Sequence, residues 1–142
     1  MGRTNRVEKG VVGVKDMLTT IYAALVANPT VLKNCGDRIK FYETPETTDM
    51  IKPFITISPV GPQDDAYGGS DMVLALTMTY QVDVESHNRK LVKLIQHEVK
   101  KEMKLLGFGQ LTGGLDTYFN ETKRFVDARR YRGNTKIYET NY

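Results

Sequence analysis

The longest alternation of apolar and polar residues runs from Met72 to Glu85. Apolar side chains occupy every second position, and from Thr77 onward threonine, glutamine and acidic residues fill the positions between them. A period of two places the two sets on opposite faces of a β-strand. The pattern therefore predicts one long strand with a buried face and a solvent-exposed face.

Two shorter segments, 38–43 and 53–60, alternate in the same way, and in the second Ile55 and Ile57 face away from Phe54, Thr56 and Ser58. Both are predicted to be strands. The segment 61–71, GPQDDAYGGSD, is rich in Gly, Pro and Asp and has no period. It is predicted to be a mobile loop that joins two antiparallel strands.

Helical spacing occurs in two places. Residues 11–27 form an amphipathic helix that ends at Asn28, and Pro29 to Gly36 adds one further turn. Its apolar stripe consists of Val14, Met17, Leu18, Ile21, Ala24 and Leu25. A second helix follows within 86–107; Ser86 or Asn88 caps it, and its buried stripe is Val92, Ile95, Val99, Met103 and Leu106. Lysines cover its remaining, solvated surface.

The chain closes with a predicted hairpin that turns at Asn120 and Glu121. The order of elements predicts an α+β fold with a mainly antiparallel sheet and two principal helices on one face. A length of 142 residues favours one domain over 1–142, and 1–10 and 135–142 are expected to be flexible ends.

Composition narrows the class of protein. Twenty Lys and Arg against 17 Asp and Glu leave a net charge of +3, a weak argument for nucleic-acid binding. The single cysteine, Cys35, excludes an internal disulfide and a cysteine-based zinc site. Neither a secretory signal nor a membrane-spanning apolar run is evident, so we expect a soluble, intracellular protein.

The sequence offers little evidence for a catalytic site. His87 and His97 do not match a metal-ligand spacing, and the alternation of Asp83, Glu85 and His87 fits the wet face of a strand that continues into a helix cap. No nucleophile is paired with a base. We therefore expect no catalytic site, no cofactor, no metal and no small-molecule substrate.

The stretch RFVDARRYRG, 124–133, crowds arginines and aromatics together. As a strand it would send Arg124, Arg130 and Arg132 to one side, and Arg129 and Tyr131 to the other. Neither side is uniformly basic, and Arg and Tyr are enriched at interface centres, so a protein interface is predicted. Solvated arginines that discourage aggregation of an edge strand are the alternative.

The strand LALTMTYQVDVES, the lysine-rich helix ending in LLGF and the closing RFVDARRYRG together resemble tail terminator or tail completion proteins of long-tailed bacteriophages. The likeness runs from about residue 53 to 133, and residues 1–52 match in layout only. It implies a ring, usually of six copies, that caps the tail tube, stops its polymerisation and presents a surface to the head. The partners would be other copies, the tube protein and the head–tail connector.

The resemblance also implies a location at the head-proximal end of the virion tail, after assembly in the host cytoplasm. We expect Arg124, Arg129, Arg130, Tyr131 and Arg132 at the protein interface, and Asp64, Asp65 and Tyr67 at a docking surface. A head-completion or neck protein is a close alternative. A DNA-binding module would require the lysine-rich helix and the arginine strand to converge on one face, and neither membrane nor specific nucleic-acid binding is expected.

Overall fold

The computed structural model of the chain describes residues 16–45, 51–69 and 72–135. Within them lie the helices α1 (Met17–Ala27), α2 (Pro29–Cys35) and α3 (Arg89–Leu105). The strands are β1 (Ile39–Phe41), β2 (Phe54–Pro59), β3 (Asp64–Gly69), β4 (Met72–Ser86), β5 (Phe108–Gln110), β6 (Leu115–Phe119) and β7 (Arg124–Asn134). The expected start of the first helix at 11–15 and the expected flexible ends 1–10 and 136–142 lie outside the described residues.

One seven-stranded sheet has the order β1-β2-β4-β7-β5, with β3 added beside β4 and β6 beside β7. All pairs are antiparallel except β1 with β2, which is parallel. The α+β class with a mainly antiparallel sheet is therefore confirmed. The long strand and the closing hairpin are also present as predicted, and the hairpin turns between β6 and β7.

The centre of the sheet is the pair β4 and β7. They run side by side from the Thr77–Asn134 pair to the Ser86–Phe125 pair. On its other side, β4 pairs with β2 through its second half and with β3 through its first half. The two central strands consequently set the register of the strands that flank them.

The expectation of an irregular loop over 61–71 is wrong for Asp64–Gly69, which form β3. The backbone of these residues pairs with the first half of β4, with register shifts on both sides of Tyr67. Gly and Asp disfavour strands, but an unpaired edge of β4 offers hydrogen-bonding partners to the neighbouring backbone. Tertiary pairing thus outweighs local propensity here, and the register shifts accommodate the poor strand formers.

The hydrophobic core lies between the sheet and the helices. The predicted stripe of α3 is buried at Val92, Ile95, Val99 and Met103, whereas Leu106 is half-buried. From α1 the core takes Met17, Leu18, Ile21 and Leu25, and from β4 it takes Met78, Tyr80, Val82 and Val84. The described helices thus lie on one side of the sheet, and we call its other side, which no described helix covers, the helix-free face.

Asparagines begin two of the helices. The Asn88 side chain accepts a hydrogen bond from the Leu91 N–H at 3.1 Å and so caps α3, as predicted. Asn28 caps α2 and donates from Nδ2 to Glu98 and Glu102 of α3 at 3.0 and 2.9 Å. A capping residue therefore also ties α2 to α3.

In strand β2, Ile55 and Ile57 face away from Phe54 and Thr56 as predicted, and all four side chains are buried. Phe54 lies under the guanidinium of Arg124, 5.3 Å from the ring centroid. The Thr56 hydroxyl lies 2.6 Å from that of Thr44. The face of β2 that carries Phe54 and Thr56 is thus covered by side chains from other segments.

Thr135, expected in a flexible end, is anchored. Its N–H donates to the Leu76 carbonyl at 2.8 Å, and its hydroxyl accepts from the Leu76 N–H at 2.9 Å. The side chain is buried. The ordered part of the chain therefore continues at least one residue beyond β7.

Two neighbouring glycines before β6 permit a test of the close approach to β7. Both have a positive φ, but a Cβ on Gly114 would collide with the Ala128 carbonyl, whereas one on Gly113 would meet nothing within 4 Å. We expect Gly114→Ala to lower the free energy of unfolding by about 2 kcal/mol more than Gly113→Ala, since both share the φ cost and only one adds overpacking. Urea denaturation of the two variants measures this, and equal losses would contradict the collision.

Candidate protein interface

The arginines of β7 divide between the two faces of the sheet, as their alternation predicted. Arg124, Arg130 and Arg132 lie on the helix-free face, opposite Glu85, Gln81 and Thr79 of β4, respectively. Arg129 and Tyr131 point to the helix side, where α3 supplies their neighbours. The predicted interface residues therefore cannot form a single surface.

Tyr131 does not fit the interface expected for it. Its side chain is fully buried, and its hydroxyl donates to Gln96 Oε1 of α3 at 2.9 Å. Burial raises the pKa of this phenol well above its ordinary value. The residue is part of the core, because its face of β7 is the one that α3 covers.

Arg129 belongs to an ion cluster within the chain. Its guanidinium donates to both carboxylate oxygens of Asp127 at 2.7 and 3.0 Å and to Gln110 at 3.2 Å. Lys93 of α3 donates to the same Asp127 at 2.8 Å and also to Asp116. Asp127 is fully buried, so two cations are committed to it.

The pKa shifts follow from these contacts. Partial burial would lower the pKa of Lys93, but the hydrogen bonds to Asp116 and Asp127 raise it overall. The hydrogen bonds to Asp127 likewise raise the pKa of Arg129. Both cations remain charged at neutral pH, so the cluster stabilises the packing of α3 on the edge of the sheet.

Arg124 is also engaged within the chain. It donates to Glu85 at 3.3 Å and covers the ring of Phe54, and only 15% of its side chain is exposed. Little of it is accessible to a partner.

Arg130 and Arg132 are different, because both are exposed and their hydrogen bonds go to neutral side chains. Arg130 Nε donates to Gln81 at 3.0 Å, and Arg132 Nε donates to Thr79 at 3.2 Å. Among the described residues, neither forms a salt bridge. Of the predicted arginines, these two are the ones that present their charge to solvent without a salt bridge to a described residue.

Asp64 and Asp65 are exposed on β3, and neither has a salt bridge with a described residue. Asp64 pairs with Thr77, which on its other side pairs with Asn134. The acidic strand and the arginine strand thus flank the same stretch of β4. The backbone of Tyr67 lies in β3, but its side chain lies outside the described part.

A groove of about 590 Å³ opens on the helix-free face, and we call it the sheet groove. Val126 and Ala128 lie at its floor, and exposed Leu115 and Phe119 of β6 form apolar walls. Its polar lining is Gln81, Asp83, Glu85, Glu121, Thr122 and Arg130. Apolar walls around a few polar groups are typical of surfaces that bind a partner.

Two carboxylates of the sheet groove are half-buried. Asp83 accepts a hydrogen bond from Gln81 Nε2 at 2.9 Å, and no described cation lies within salt-bridge distance of it. Burial raises the pKa of Asp83, although Gln81 and Arg130 partly oppose the shift. Burial also raises the pKa of Glu85 against the opposing effect of Arg124. Keeping these two carboxylates ionised in the folded protein therefore costs free energy.

The outer face of α3 carries the opposite charge. We define it by its exposed cations Arg89, Lys90, Lys100, Lys101 and Lys104 and its exposed leucines Leu94 and Leu105. This face lies across the sheet from Arg130 and Arg132. The convergence that a DNA-binding module would require is therefore absent from the described part of the chain.

Neither histidine takes part in a candidate active site. His87 Nδ1 lies 2.7 Å from the Lys123 carbonyl, and His97 is exposed on α3. In the three described ranges, no group of three or more His, Cys, Asp or Glu side chains is placed to hold a metal ion. No helix described there is long and apolar enough to cross a membrane.

Several residues of these surfaces were not predicted. Gln96 interrupts the apolar stripe of α3 as a buried residue, and Leu115 and Phe119 are apolar residues that the hairpin leaves exposed. A polar residue within an apolar stripe signals a buried hydrogen bond, so the sequence could have indicated the role of Gln96. Nothing in the sequence distinguishes the exposed Leu115 and Phe119 from buried apolar residues.

The chain matches no protein-family profile, and no curated protein matches it. Among solved structures, eight chains match. One is a chain of the "Virion of native gene transfer agent (GTA) particle", with a TM-score of 0.58 and 14% identity. The similarity covers 82% of this chain and 90% of that one. At this identity the comparison shows that the two chains share a fold.

Removal of one cation from the buried cluster should cost stability. We expect Lys93→Met to lower the free energy of unfolding by about 2 kcal/mol, because Asp127 stays buried with one cation instead of two. The control is Lys101→Met, which removes an exposed pair with Glu98 on the same helix and should cost less than ~0.5 kcal/mol. Chemical denaturation compares them, and similar losses would show that the cluster is not stabilising.

Asp83→Asn should stabilise the isolated protein at neutral pH. Because the folded-state pKa of Asp83 is raised, the folded chain binds its proton more tightly than the unfolded chain, and stability falls as pH rises through that range. The gain from Asn should therefore vanish in acid, where Asp83 is protonated. Denaturation at several pH values tests this with Glu121→Gln, on the exposed rim, as control; a destabilised Asp83→Asn at neutral pH would contradict it.

Proposed function

We propose that this chain is a virion structural protein, and specifically a tail terminator or tail completion protein without enzymatic activity. The observation that carries the proposal is the fold shared with a chain of a gene transfer agent virion, which extends over 90% of that chain. The sequence resemblance to tail terminator proteins points the same way. In this role, copies of the chain form a ring, of six copies by that resemblance, that caps the tail tube and offers a surface to the head–tail connector.

The surfaces of the chain support an assembly role. The exposed charges of Arg130 and Arg132 on one strand, and of Asp64 and Asp65 on another, have no salt-bridge partner among the described residues. Charges of this kind steer association with a complementary protein surface. We propose that Arg130 and Arg132 contact an adjacent copy or the tube protein, and that Asp64, Asp65 and Tyr67 lie at a docking surface; Arg129, on the other side of the sheet, is not part of this contact.

A head-completion or neck protein is the second candidate. The shared fold supports it equally, since a virion contains proteins on both sides of the joint between head and tail. Both candidates place the protein in the virion, with the tail terminator at the head-proximal end of the tail. They differ in which half of the particle fails when the protein is missing.

Electron microscopy of lysates after inactivation of the gene separates these roles. Overlong or irregular tails that are not attached to filled heads would support tail termination. Tails of normal length beside leaking heads would move the protein to the head side. Intact virions would contradict a structural role of either kind.

Charge reversal at Arg130 tests the arginine surface. We expect Arg130→Glu to reduce the yield of infectious particles by about tenfold or more while the isolated chain stays folded, because one misplaced charge at a close contact costs several kcal/mol. Lys33→Glu, an exposed charge on α2, is the matched control. Complementation titres with circular dichroism of the purified variants measure this, and normal titres would remove Arg130 from the proposed interface.

A further inference from the structure

The outer face of α3 and the sheet groove present opposite charge. The outer face of α3 carries exposed lysines and arginine, while its two acidic residues, Glu98 and Glu102, are half-buried and bonded to Asn28. The sheet groove on the other side contains Asp83, Glu85 and Glu121 against Arg130. Arg124 offsets Glu85 and Arg130 partly offsets Asp83, but neither Asp83 nor Glu121 forms a salt bridge with a described residue.

Apolar side chains accompany the charge on both surfaces. Leu94 and Leu105 are 46% and 81% exposed, and with Lys101 they fall at positions i, i+7 and i+11 on one line along α3. A helix that docks in a groove presents side chains at this spacing. The sheet groove also contains exposed apolar side chains, Leu115 and Phe119, which are 47% and 41% exposed.

The surroundings of Asp83 indicate that the sheet groove lacks a cation. The carboxylate is half-buried, its hydrogen-bond donor is the neutral amide of Gln81, and no described cation pairs with it. A buried charge is costly unless a counter-charge is supplied. A lysine that enters the groove beside apolar side chains would supply that counter-charge.

We propose that the outer face of α3 of one copy docks in the sheet groove of a neighbouring copy. The proposal rests on the proposed function in that it names the subunit contact of the ring. The two surfaces lie on opposite sides of the sheet, so each copy offers a helix to one neighbour and a groove to the other. Such a heterologous contact closes into a ring when its rotation permits.

The chemistry favours this occupant over nucleic acid. Phosphates would satisfy the lysines of α3, but they would leave Leu94 and Leu105 exposed. The sheet groove on the other side would not attract phosphates either, because its carboxylates outnumber Arg130. A second copy of the chain satisfies the cations, the leucines and Asp83 at the same time.

Two charge variants test the contact. The groove variant combines Asp83→Asn with Glu121→Lys, and the helix variant combines Lys101→Glu with Lys104→Glu. At high protein concentration we expect wild-type protein to sediment as assemblies larger than a dimer. Each variant alone should sediment as a monomer, because its altered surface repels the intact surface of its neighbour.

An equimolar mixture of the two variants should form heterodimers, because the intact helix of the groove variant fits the intact groove of the helix variant. At the other junction the exchanged charges attract as well, so heterodimers that grow further are equally consistent with the contact. Lys33→Glu is the control and should assemble as wild type does. Circular dichroism of each variant confirms that it is folded.

The contact is overturned if both variants assemble as wild type does, if the mixture stays monomeric, or if wild type itself is monomeric. Salt-dependent binding of duplex DNA that the helix variant loses, without heterodimers, would overturn it in favour of a nucleic-acid surface. If the contact is overturned but the gene-inactivated lysate contains overlong tails, the proposed function is still supported. Heterodimers together with normal virions in that lysate would support the contact and contradict the proposed function.

Discussion

The buried carboxylate of Asp127 determines how the helices meet the sheet. Because it is fully buried, it requires cations, and these come from Lys93 of α3 and from Arg129 two residues along β7. Next to it, Gln96 donates from Nε2 to the carbonyls of Val82 and Asp127 at 3.1 and 2.8 Å. The apolar stripe of α3 could slide along the sheet, but these directional bonds admit one position.

The ion cluster around Asp127 also illustrates which features of the site could be predicted from the sequence. Alternation along β7 is a local property, so the side of the sheet for each arginine was predictable. Arg129 has its carboxylate partner, Asp127, only two residues away. The other partners lie far away in the chain: Gln110 for Arg129, and Phe54 and Glu85 for Arg124. Such pairings follow from tertiary structure, which periodicity does not encode.

The fold shows the same division. The long strand β4 and helix α3 have sustained periods and were predictable, as were the caps and turn residues around them. Strand β3 has poor strand formers and exists because β4 offers an open edge. Tyr131 was placed on the correct side of β7, yet its burial depends on α3 covering that side. The side of the sheet on which a residue lies follows from local periodicity, whereas its burial depends on which other elements cover that side.

The position of β7 in the sheet has a consequence for how the protein is made. β7 is the last described strand along the chain, and it lies at the centre of the sheet, between β4 and the pair β5 and β6. A growing chain therefore carries β4 with one edge unpaired until β7 has left the ribosome. Because central pairing is long-range, it follows the local hairpins in time. The nascent protein thus passes through a state with exposed strand edges, in which chaperones or early partners have most effect.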